Sequence, residues 1–556
     1  MADNPKHTTP WRRRLSALKT ERTEFESHWE DIADYIAPAK LRLFTSDRND
    51  GGKKYGKIVD ETTLLARRDF VSGMMAGLTS PARPWFKLGT NDKDLNEFKA
   101  VKEWLETVER RMMLAFSKSN LYQALPNVYD DVGTFGTAAM GVNHRPETMI
   151  WCRPFNLGEY WVATNEWGLV DTFYRRTTMT VGQLVKKFGR DNVSRTVGNM
   201  WDCGDADEAI PVIQAIEPND GRIRGYKDAQ NMPFRSVWFE EGESGGAFLE
   251  QRGFEEFPIM APRWYASQTD SYGVDCPGML ALGGTKQLQH EQRRKAEAID
   301  KMVKPPMVAP SNMQKRPVNL LPGGMTYVDE VTGGTQLRPA YAVDPRIGDL
   351  KEDIREVQQR IKESYFVDLF RAISMLDRRE ITAREIQERH EEKLLMLGPT
   401  LQRMQSELFD PLIDRTFSIM TRPEVDVLPP PPEEIQGMEL RVEYVSMLAQ
   451  AQQSVGVNAI ERTVGFAGNL AAVNPAVLDK IDFDQAVDEY AAIQGVPQSL
   501  VRSDEDVEAL RASRAQQEQA QQAMAMAQPA VQSAKVLSET KITDGGTALD
   551  RLLGGV

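Results

Sequence analysis

Two helical segments with matching apolar stripes, separated by sequence that fits neither of them, constrain this chain of 556 residues more than any other feature. The first runs from about Pro345 to Tyr365 and the second from Thr382 to about Thr421, and both place apolar residues alternately three and four positions apart. This spacing puts each set on one face of a helix, as in long helices that pack side by side. The stripe residues are Ile347, Leu350, Ile354, Val357 and Ile361 in the first helix and Leu394, Leu397, Leu401, Met404 and Leu408 in the second.

The sequence between the two helices, Phe366–Arg379, is predicted to be an interruption, because its apolar residues follow neither helical register. Thr382 and Glu385 then match a capping box, a signature of a new helix start. The second helix contains Pro399 and Pro411, which should kink it, since proline removes a backbone donor. This pattern of a helix, an interruption and a long helix favours a mechanical architecture. No set of catalytic residues accompanies it.

The rest of the chain predicts a fold of the α+β class that is predominantly helical. Strand-like segments bounded by Gly, Pro and Asn fill the region from Gly136 to about Trp264, with one short helix capped by Thr180 and Gln183. A long polar helix follows from Pro277 to Lys304. Further helices are predicted from the stripe Leu15–Ile36, after an N-cap at Asp60 and ending near Leu78, over Phe98–Phe116 and over Tyr122–Val132, and short strands at Met307, Met325 and Thr335.

The C-terminal part is predicted to be helical and acidic. Pro429–Pro432 form an extended spacer, and Val442, Val445 and Leu448 are spaced to begin a helix. The tract Ala512–Gln528, rich in Gln, Ala and Met, predicts an exposed helix or a low-complexity tail.

The charge of the chain is unevenly distributed. The net charge is −13, and residues 421–510 contain sixteen acids and five bases, whereas residues 286–316 contain eight bases and three acids. Overall acidity argues against a tight, static nucleic-acid binder, because phosphate contacts need clustered Lys and Arg. Solvated surface is the ordinary explanation of such runs, and different partners at different ends of the molecule are the alternative.

Composition excludes several other classes of protein. Apolar content of 41% and charged content of 27% are ordinary for a soluble protein, and no apolar run reaches the length that spans a bilayer. The N-terminus lacks the apolar stretch of a signal peptide, so synthesis in a reducing cytoplasm is expected. The three cysteines and five histidines show no ligand spacing, and neither a metal nor another cofactor is predicted.

Three sequence features suggest an enzyme, but the sequence around each of them does not fit that interpretation. Gly242–Gly246 matches the nucleophile elbow of serine hydrolases around Ser244, but a returning strand after it predicts a hairpin tip. Gly278–Gly283 resembles a phosphate loop without the required Lys-Ser/Thr. The neighbouring carboxylates Asp130 and Asp131 lie in helical or turn sequence and are expected to have no partner base. No catalytic residue is therefore predicted.

Taken in order, these segments resemble the portal proteins, or head-to-tail connectors, of tailed bacteriophages, specifically of the short-tailed (podovirus) type. The resemblance extends over roughly residues 10–500 and depends on the order and spacing of several short motifs. They are Trp29–Pro38, Ser72–Pro81, Tyr272-Gly273, Lys304–Pro310, Ile381–Ile386, Glu392–Pro399 and Glu407–Ile413.

The resemblance implies the portal fold, with a wing, stem, clip and crown, assembled as a homo-oligomeric ring of about twelve subunits. Residues 1–270 would form the wing, 271–304 and 345–365 the two stem helices, and 305–344 the clip. A tunnel loop would occupy 366–381, a long wing helix 382–428, the crown 429–511 and a flexible tail 512–556.

The resemblance also implies a non-enzymatic function. The ring would sit at one capsid vertex of the virion, at the head–tail junction, after assembly in the host cytoplasm and without any membrane. The genome, double-stranded DNA, would pass through it during packaging by the terminase large subunit and later during ejection. Tail adaptor proteins, the major capsid protein and scaffolding proteins would be its other partners.

Two groups of basic residues are candidates for contact with DNA or with those partners. Arg371, Arg378 and Arg379 would lie on the tunnel loop and touch phosphates transiently, or pair with acids of a neighbouring subunit. The stem and clip residues would favour DNA entry or the docking of terminase and adaptors; they are Arg293, Arg294, Lys295, Lys301, Lys304, Lys315 and Arg316.

Three alternatives remain open from the residues alone. The first is a coiled-coil-like assembly scaffold without a central hole. The second is a serine hydrolase that uses Ser244, and the third is an ATP-driven translocase, which the missing Walker motif disfavours.

Overall fold

A computed structural model provides the structure of the chain. It describes residues 8–43, 55–303 except 93, 94, 97, 224, 227, 229 and 243–247, then 307–308, 338–339, 347–375, 396–446 except 426 and 439, 448, 463–470, 480–493, 507, 509–517 and 519. These residues form two compact units. The first comprises Met1–Leu88, Glu106–Pro430 and Val442–Gln452, and the second comprises Gly89–Leu105, Pro431–Arg441 and Gln453–Val556.

Helices provide most of the regular structure, as the sequence predicts, and the sheets are antiparallel where their pairing is described. The helices are α1 (Thr9–Tyr35), α2 (Thr62–Leu78), α3 (Lys99–Lys118), α4 (Leu121–Phe135), α5 (Val181–Phe188), α6 (Arg195–Cys203), α7 (Pro277–Val303), α8 (Ile347–Ser364), α9 (Val367–Met375), α10 (Asp410–Met420) and α11 (Phe483–Ile493). The strands are β1 (Phe86–Thr90), β2 (Ala139–Arg145), β3 (Met149–Phe155), β4 (Tyr160–Thr164), β5 (Val170–Thr180), β6 (Ala209–Pro218), β7 (Phe234–Glu240), β8 (Glu250–Phe254), β9 (Ile259–Met260), β10 (Met307–Val308), β11 (Arg338–Pro339) and β12 (Leu440–Tyr444).

The strands from β4 to β8 form a five-stranded antiparallel meander in chain order. Because side chains alternate across a strand, Ile213 and Val237 face α1, whereas Val212 and Trp238 face α5 and α6. Both faces of the sheet are therefore covered. A second sheet has the order β3-β2-β9, and β1 with β12 and β10 with β11 form two-stranded sheets.

The local signals in this region are confirmed. Thr180 accepts a hydrogen bond from the Gln183 N–H while the Gln183 side chain accepts from the Thr180 N–H, which is the predicted capping box. β7 returns through β8, so the segment around Gly242 lies between two antiparallel strands rather than before a helix. Ser244 itself lies outside the described residues.

The predicted stem helices α7 and α8 pack against each other through the predicted apolar stripe. Ile354, Val357 and Ile361 of α8 are buried, as is Leu288 of α7. The helix surface is flat at Gly284, where an added Cβ would lie 3.5 Å from Ile361 Cγ1. Among the stretches predicted between the helices, the strand at Met307 is confirmed, and β11 begins at Arg338, the last residue of the strand predicted from Thr335. The segment at Met325 lies outside the described residues.

The long helix that follows is described from residue 396. Residues 396–404 are helical, and Leu397, Leu401, Met404 and Leu408 are buried as predicted. A π-helical turn, Gln405–Phe409, precedes α10, which has Pro411 in its first turn. The wider turn accommodates the missing proline N–H, and it lies directly before Pro411, one of the two prolines predicted to kink the helix. Thr382, Glu385 and Leu394 lie outside the described residues.

The prediction of a helix that begins at Val442 is wrong. Leu440–Tyr444 form the strand β12, in which Leu440, Val442 and Tyr444 are partly buried and Arg441 and Glu443 are exposed. Apolar residues at every second position lie on one face of a strand, whereas in a helix they would point in different directions. The alternation from Leu440 to Tyr444 therefore favours a strand. In the second unit, residues 511–517 form an exposed helix, which confirms that part of the prediction for the C-terminal tract.

Candidate functional site

The basic surface of α7 is the best-described part of the predicted stem and clip site. Arg294 and Lys301 are exposed, and neither has a hydrogen-bond or ion-pair partner within the part of the chain that the structure describes. Arg293 donates to the Lys57 carbonyl at 2.8 Å and Lys295 donates to the Gln292 side chain at 3.3 Å. Two of the four cations are therefore held by the chain itself, and two are available to a partner.

The other three predicted members of this site, Lys304, Lys315 and Arg316, lie outside the described residues. Exposed apolar side chains accompany the cations at the end of α7. Ile299, Met302 and Val303 are 39%, 49% and 72% exposed. A surface that combines free cations with exposed apolar side chains suits a protein partner as well as an anion.

Asp60 fixes the orientation of the helix pair relative to α2. Its carboxylate accepts hydrogen bonds from Thr62 N–H, Gln292 Nε2 and Gln358 Nε2, each at 2.8 Å. Burial raises the pKa of Asp60, but the three donors outweigh it and the net shift is downward. The N-cap of α2 is Glu61, without a side-chain cap hydrogen bond, so the cap predicted at Asp60 is one residue too early, although Asp60 accepts from the Thr62 N–H. The contacts of Asp60 with α7 and α8 had no sequence signal.

The predicted tunnel loop contains the helix α9, which places Arg371 against α2. Phe366 has φ +53°, a left-handed conformation that separates α8 from α9. The Arg371 guanidinium lies 2.6 Å from Asp69 Oδ2, and its side chain is 57% exposed. Arg371 therefore pairs with an acid of its own chain and still faces solvent. Arg378 and Arg379 lie outside the described residues.

Phe370 anchors α9 beside this ion pair. An added Cβ on Gly73 would lie only 2.2 Å from Phe370 Cγ, so the ring sits directly on the α2 backbone. The Phe370 ring also makes an edge contact with Phe70, with the centroids 5.6 Å apart. The position of Arg371 depends on this packing.

Sequence reasoning missed a set of buried ionic contacts that hold the first unit together. Arg263 is 1% exposed and its guanidinium contacts Glu407 of the π-helical turn at 2.6 Å. The Arg263 guanidinium also donates to the carbonyls of Asp270 and Gly168 at 2.6 and 2.7 Å. These contacts join the long helix to the loops beside the sheet, and Arg263 and Glu407 are 144 positions apart in sequence.

The expectation that Asp130 and Asp131 lack a basic partner is wrong. Arg67 donates two hydrogen bonds of 2.5 Å to Asp130, and Lys40 lies 2.6 Å from Asp130 and also contacts Asp131. Burial raises the pKa of Asp130, but Arg67 and Lys40 lower it by more, so the net shift is downward. For Asp131, burial prevails and raises the pKa to about 6. The bases come from distant segments, which local sequence could not reveal. The cluster is structural.

None of the helices among the described residues is both long and apolar enough to cross a membrane. No group of three or more His, Cys, Asp and Glu side chains in the same ranges could hold a metal ion.

Comparison with known proteins places this chain in a family. The family described as bacteriophage head to tail connecting protein matches residues 9–501. The chain is 49% identical to the portal protein of Salmonella phage epsilon15 over 532 residues, covering 96% of this chain and 95% of that protein. It is 42% identical to the probable portal protein of Bordetella phage BPP-1, covering 98% of each chain.

Two solved structures are also similar. A chain in the virion of a native gene transfer agent particle is 12% identical with a TM-score of 0.32, covering 72% of this chain and 90% of that one. A chain in the neck of an empty particle is 11% identical with a TM-score of 0.27, covering 74% and 99%. At these TM-scores neither structure informs the fold.

The chain belongs to the family of bacteriophage head to tail connecting proteins. Its function is that of a portal protein, a structural component of the junction between head and tail. The resemblance seen in the sequence is thereby confirmed.

Proposed function

We propose that the chain forms a ring of about twelve copies at one capsid vertex, through which double-stranded DNA is packaged and later ejected. The terminase large subunit supplies the packaging motor and docks on the ring, and tail adaptor proteins bind after it. The major capsid and scaffolding proteins surround the ring during assembly in the host cytoplasm. Similarity to two phage portal proteins over nearly the whole chain is the observation that carries this proposal.

The segments of the chain take separate roles in this ring. Residues 1–270 and 382–428 form the wing, 271–304 and 345–365 the stem, 305–344 the clip, 366–381 the tunnel segment, 429–511 the crown and 512–556 the tail. The packing of α7 on α8 supports the stem assignment, since two long helices side by side present surfaces that neighbouring copies can repeat around a closed ring.

The charges suit a conduit that DNA slides through. A net charge of −13 limits tight phosphate contacts, each of which would slow the sliding. Arg294 and Lys301 are the described cations best placed to guide DNA or to meet the terminase, because no other described group neutralises them. Arg371 contributes a weaker, partly screened charge, since Asp69 pairs with it.

The chain acts without an enzymatic step of its own. The antiparallel pairing of β7 with β8 supports this, because a strand follows β7 in the chain where a nucleophile elbow would need a helix. A solid coiled-coil scaffold is the structural alternative, and a central hole distinguishes the two.

Gene deletion with complementation in the phage that encodes the chain tests the proposal. Without the chain, capsids should contain no genome and carry no tails, and the wild-type chain supplied in trans should restore both. Ser244→Ala should restore them equally well. Filled, tailed particles in the absence of the chain would overturn the proposed function, and failure of Ser244→Ala alone would revive the hydrolase.

A further inference from the structure

A cavity of about 990 Å³ lies in the first unit between the five-stranded sheet and the C-terminal end of α10. Strands β5 to β8 and α5 supply one wall, with Gln214 and Trp238 among the lining side chains. Ser418 and Arg422, near the end of α10, belong to the opposite wall. The wing region, to which this cavity belongs, had no predicted site.

Arg175 is a buried cation at this cavity that forms no ion pair with a described carboxylate. It is 7% exposed, and its Nε donates to Gln214 Oε1 at 2.7 Å. Its guanidinium lies 5.0 Å from the ring centroids of both Phe155 and Trp238. In the described part of the chain no carboxylate forms an ion pair with Arg175, so its outer N–H groups have no protein acceptor there.

Lys187 adds a second cation at the same aromatic ring. Its ammonium lies 3.7 Å from the Trp238 centroid, and Lys187 is among the residues that line the cavity. The nearby Glu250 carboxylate is engaged by Arg252 at 2.6 Å rather than by Lys187. Two cations on one ring, with the neighbouring acid already paired, leave local positive charge at this wall.

The pKa values agree with this geometry. Burial and repulsion from Arg153 lower the pKa of Arg175 to about 9, against a weaker opposite effect of Glu159. Burial and repulsion from Arg175 lower the pKa of Lys187 to about 8. Both cations are therefore held in surroundings that disfavour their charge, and a bound anion would relieve the cost.

We propose that this cavity binds a carboxylate side chain from an acidic segment of a second copy of the chain, an inference that rests on the proposed ring. A planar guanidinium with free N–H groups matches a carboxylate in geometry and charge. Residues 421–510 carry a net charge of −11, so each copy offers many such side chains to its neighbour.

The rim of the cavity favours a peptide over DNA. Glu255 and Glu424 line it, and duplex DNA, with a phosphate charge about every 1.7 Å along its axis, could not avoid them. A peptide can insert one carboxylate between neutral neighbours. The cavity therefore acts as a contact point between copies.

Zero-length cross-linking with a water-soluble carbodiimide tests the proposal, because this reagent joins an amine only to a carboxylate in contact with it. Rings are assembled from an equal mixture of 14N- and 15N-labelled chains and cross-linked, and the linked peptides are identified by mass spectrometry. Lys187 should give mixed-isotope links to Asp or Glu of another copy. Lys186, exposed on the same helix but not lining the cavity, is the matched control and should give several-fold fewer.

Two variants separate the site from a chance contact. Arg175→Gln should reduce the mixed-isotope links from Lys187 several-fold. Lys187→Arg keeps the charge and removes the amine, so links that persist in this variant would come from another residue and would overturn the inference. Because Arg175 is buried and its loss can prevent folding, the comparison of Lys187 with Lys186 in the wild-type rings tests the inference independently of Arg175→Gln.

The outcomes distinguish this inference from the proposed function. Rings in which Lys187 links only to its own chain, for example to Glu250, or to nothing, overturn the inference and leave the portal ring standing. Failure to form any ring overturns both. Mixed-isotope links that are equally frequent at Lys186 and Lys187 also overturn the inference.

Discussion

Arg263 and Arg294 carry the same charge but are held in opposite ways. Arg263 is 1% exposed and donates to Glu407 and to two carbonyls, so its charge serves only to join parts of the first unit. Arg294 lies on the outer surface of α7 without a partner among the described residues. Exposure and pairing, rather than residue type, therefore separate cations that stabilise the subunit from cations that are available to a partner.

The largest effect should come from breaking the buried pair. Glu407→Ala leaves the Arg263 guanidinium buried without its carboxylate, which should lower the free energy of unfolding by about 3–5 kcal/mol. Denaturant unfolding of the purified variant measures the change. Gln402→Ala, at an exposed position of the same helix, should change it by less than about 0.5 kcal/mol. Equal values for the two variants would contradict a structural role of the pair.

The packing of Phe370 on Gly73, which positions Arg371, should be nearly as sensitive to substitution. Gly73→Ala places a Cβ 2.2 Å from Phe370 Cγ, and the displacement of α9 should cost about 1–3 kcal/mol of unfolding free energy. Gly283→Ala is the matched control on α7, where nothing lies within 4 Å of the new Cβ. It should instead stabilise the helix by about 0.5–1 kcal/mol. Thermal unfolding of both variants checks the opposite signs.

Glu109, a partly buried acid without a full counter-charge, should have an effect of intermediate size on stability. Glu109 accepts a hydrogen bond from the Leu88 N–H at 2.7 Å, and burial raises its pKa from 4.5 to about 7, against an opposing effect of Lys87. Between these pH values the folded protein retains a proton that the unfolded chain has lost, so stability falls as pH rises from 4.5 to about 7.

Glu109→Gln keeps the acceptor and removes the titration. The variant should lack this fall in stability and be more stable than the wild type at pH 8 by about 1 kcal/mol, a value discounted for solvent screening. Denaturant unfolding at pH 5, 6, 7 and 8 gives the comparison. Parallel pH curves for wild type and variant would contradict the assignment.

Substitutions on the exposed surface of α7 should have the smallest effect on stability and the largest effect on function. Arg294→Glu combined with Lys301→Glu should change unfolding by less than about 0.5 kcal/mol and preserve assembly, since neither side chain has a described partner. Packaged DNA per capsid should fall. Arg110→Glu with Lys118→Glu, the same charge change on exposed positions of α3, should leave packaging intact. Normal packaging by the α7 variant would remove this surface from the mechanism.

Local and periodic features were predictable from the sequence. The stripe Ile354, Val357 and Ile361 gave the packed face of α8, and Thr180 with Gln183 gave the start of α5, because both depend on neighbours within one or two helical turns. The error at Val442 has a local cause as well. Residues 442, 445 and 448 fit a helical spacing, but alternation from Leu440 to Tyr444 fits a strand and prevails.

Pairs of distant residues were not predictable. Nothing near Arg263 indicates Glu407, and nothing near Asp130 indicates Arg67 or Lys40, because the fold alone brings them together. Of the candidate site, the sequence located the basic surface of α7 but could not divide its cations into those held by the chain, such as Arg293, and those left free, such as Arg294.

Electron microscopy of the purified full-length protein, reconstructed from end-on and side views, shows whether the copies form an open ring. We expect rings of about a dozen copies with an open channel at least as wide as duplex DNA, roughly 20 Å, and with Arg294 and Lys301 on a surface that DNA or a docked partner can reach. Solid particles without a channel, or rings in which the outer surface of α7 is buried between copies, would contradict it.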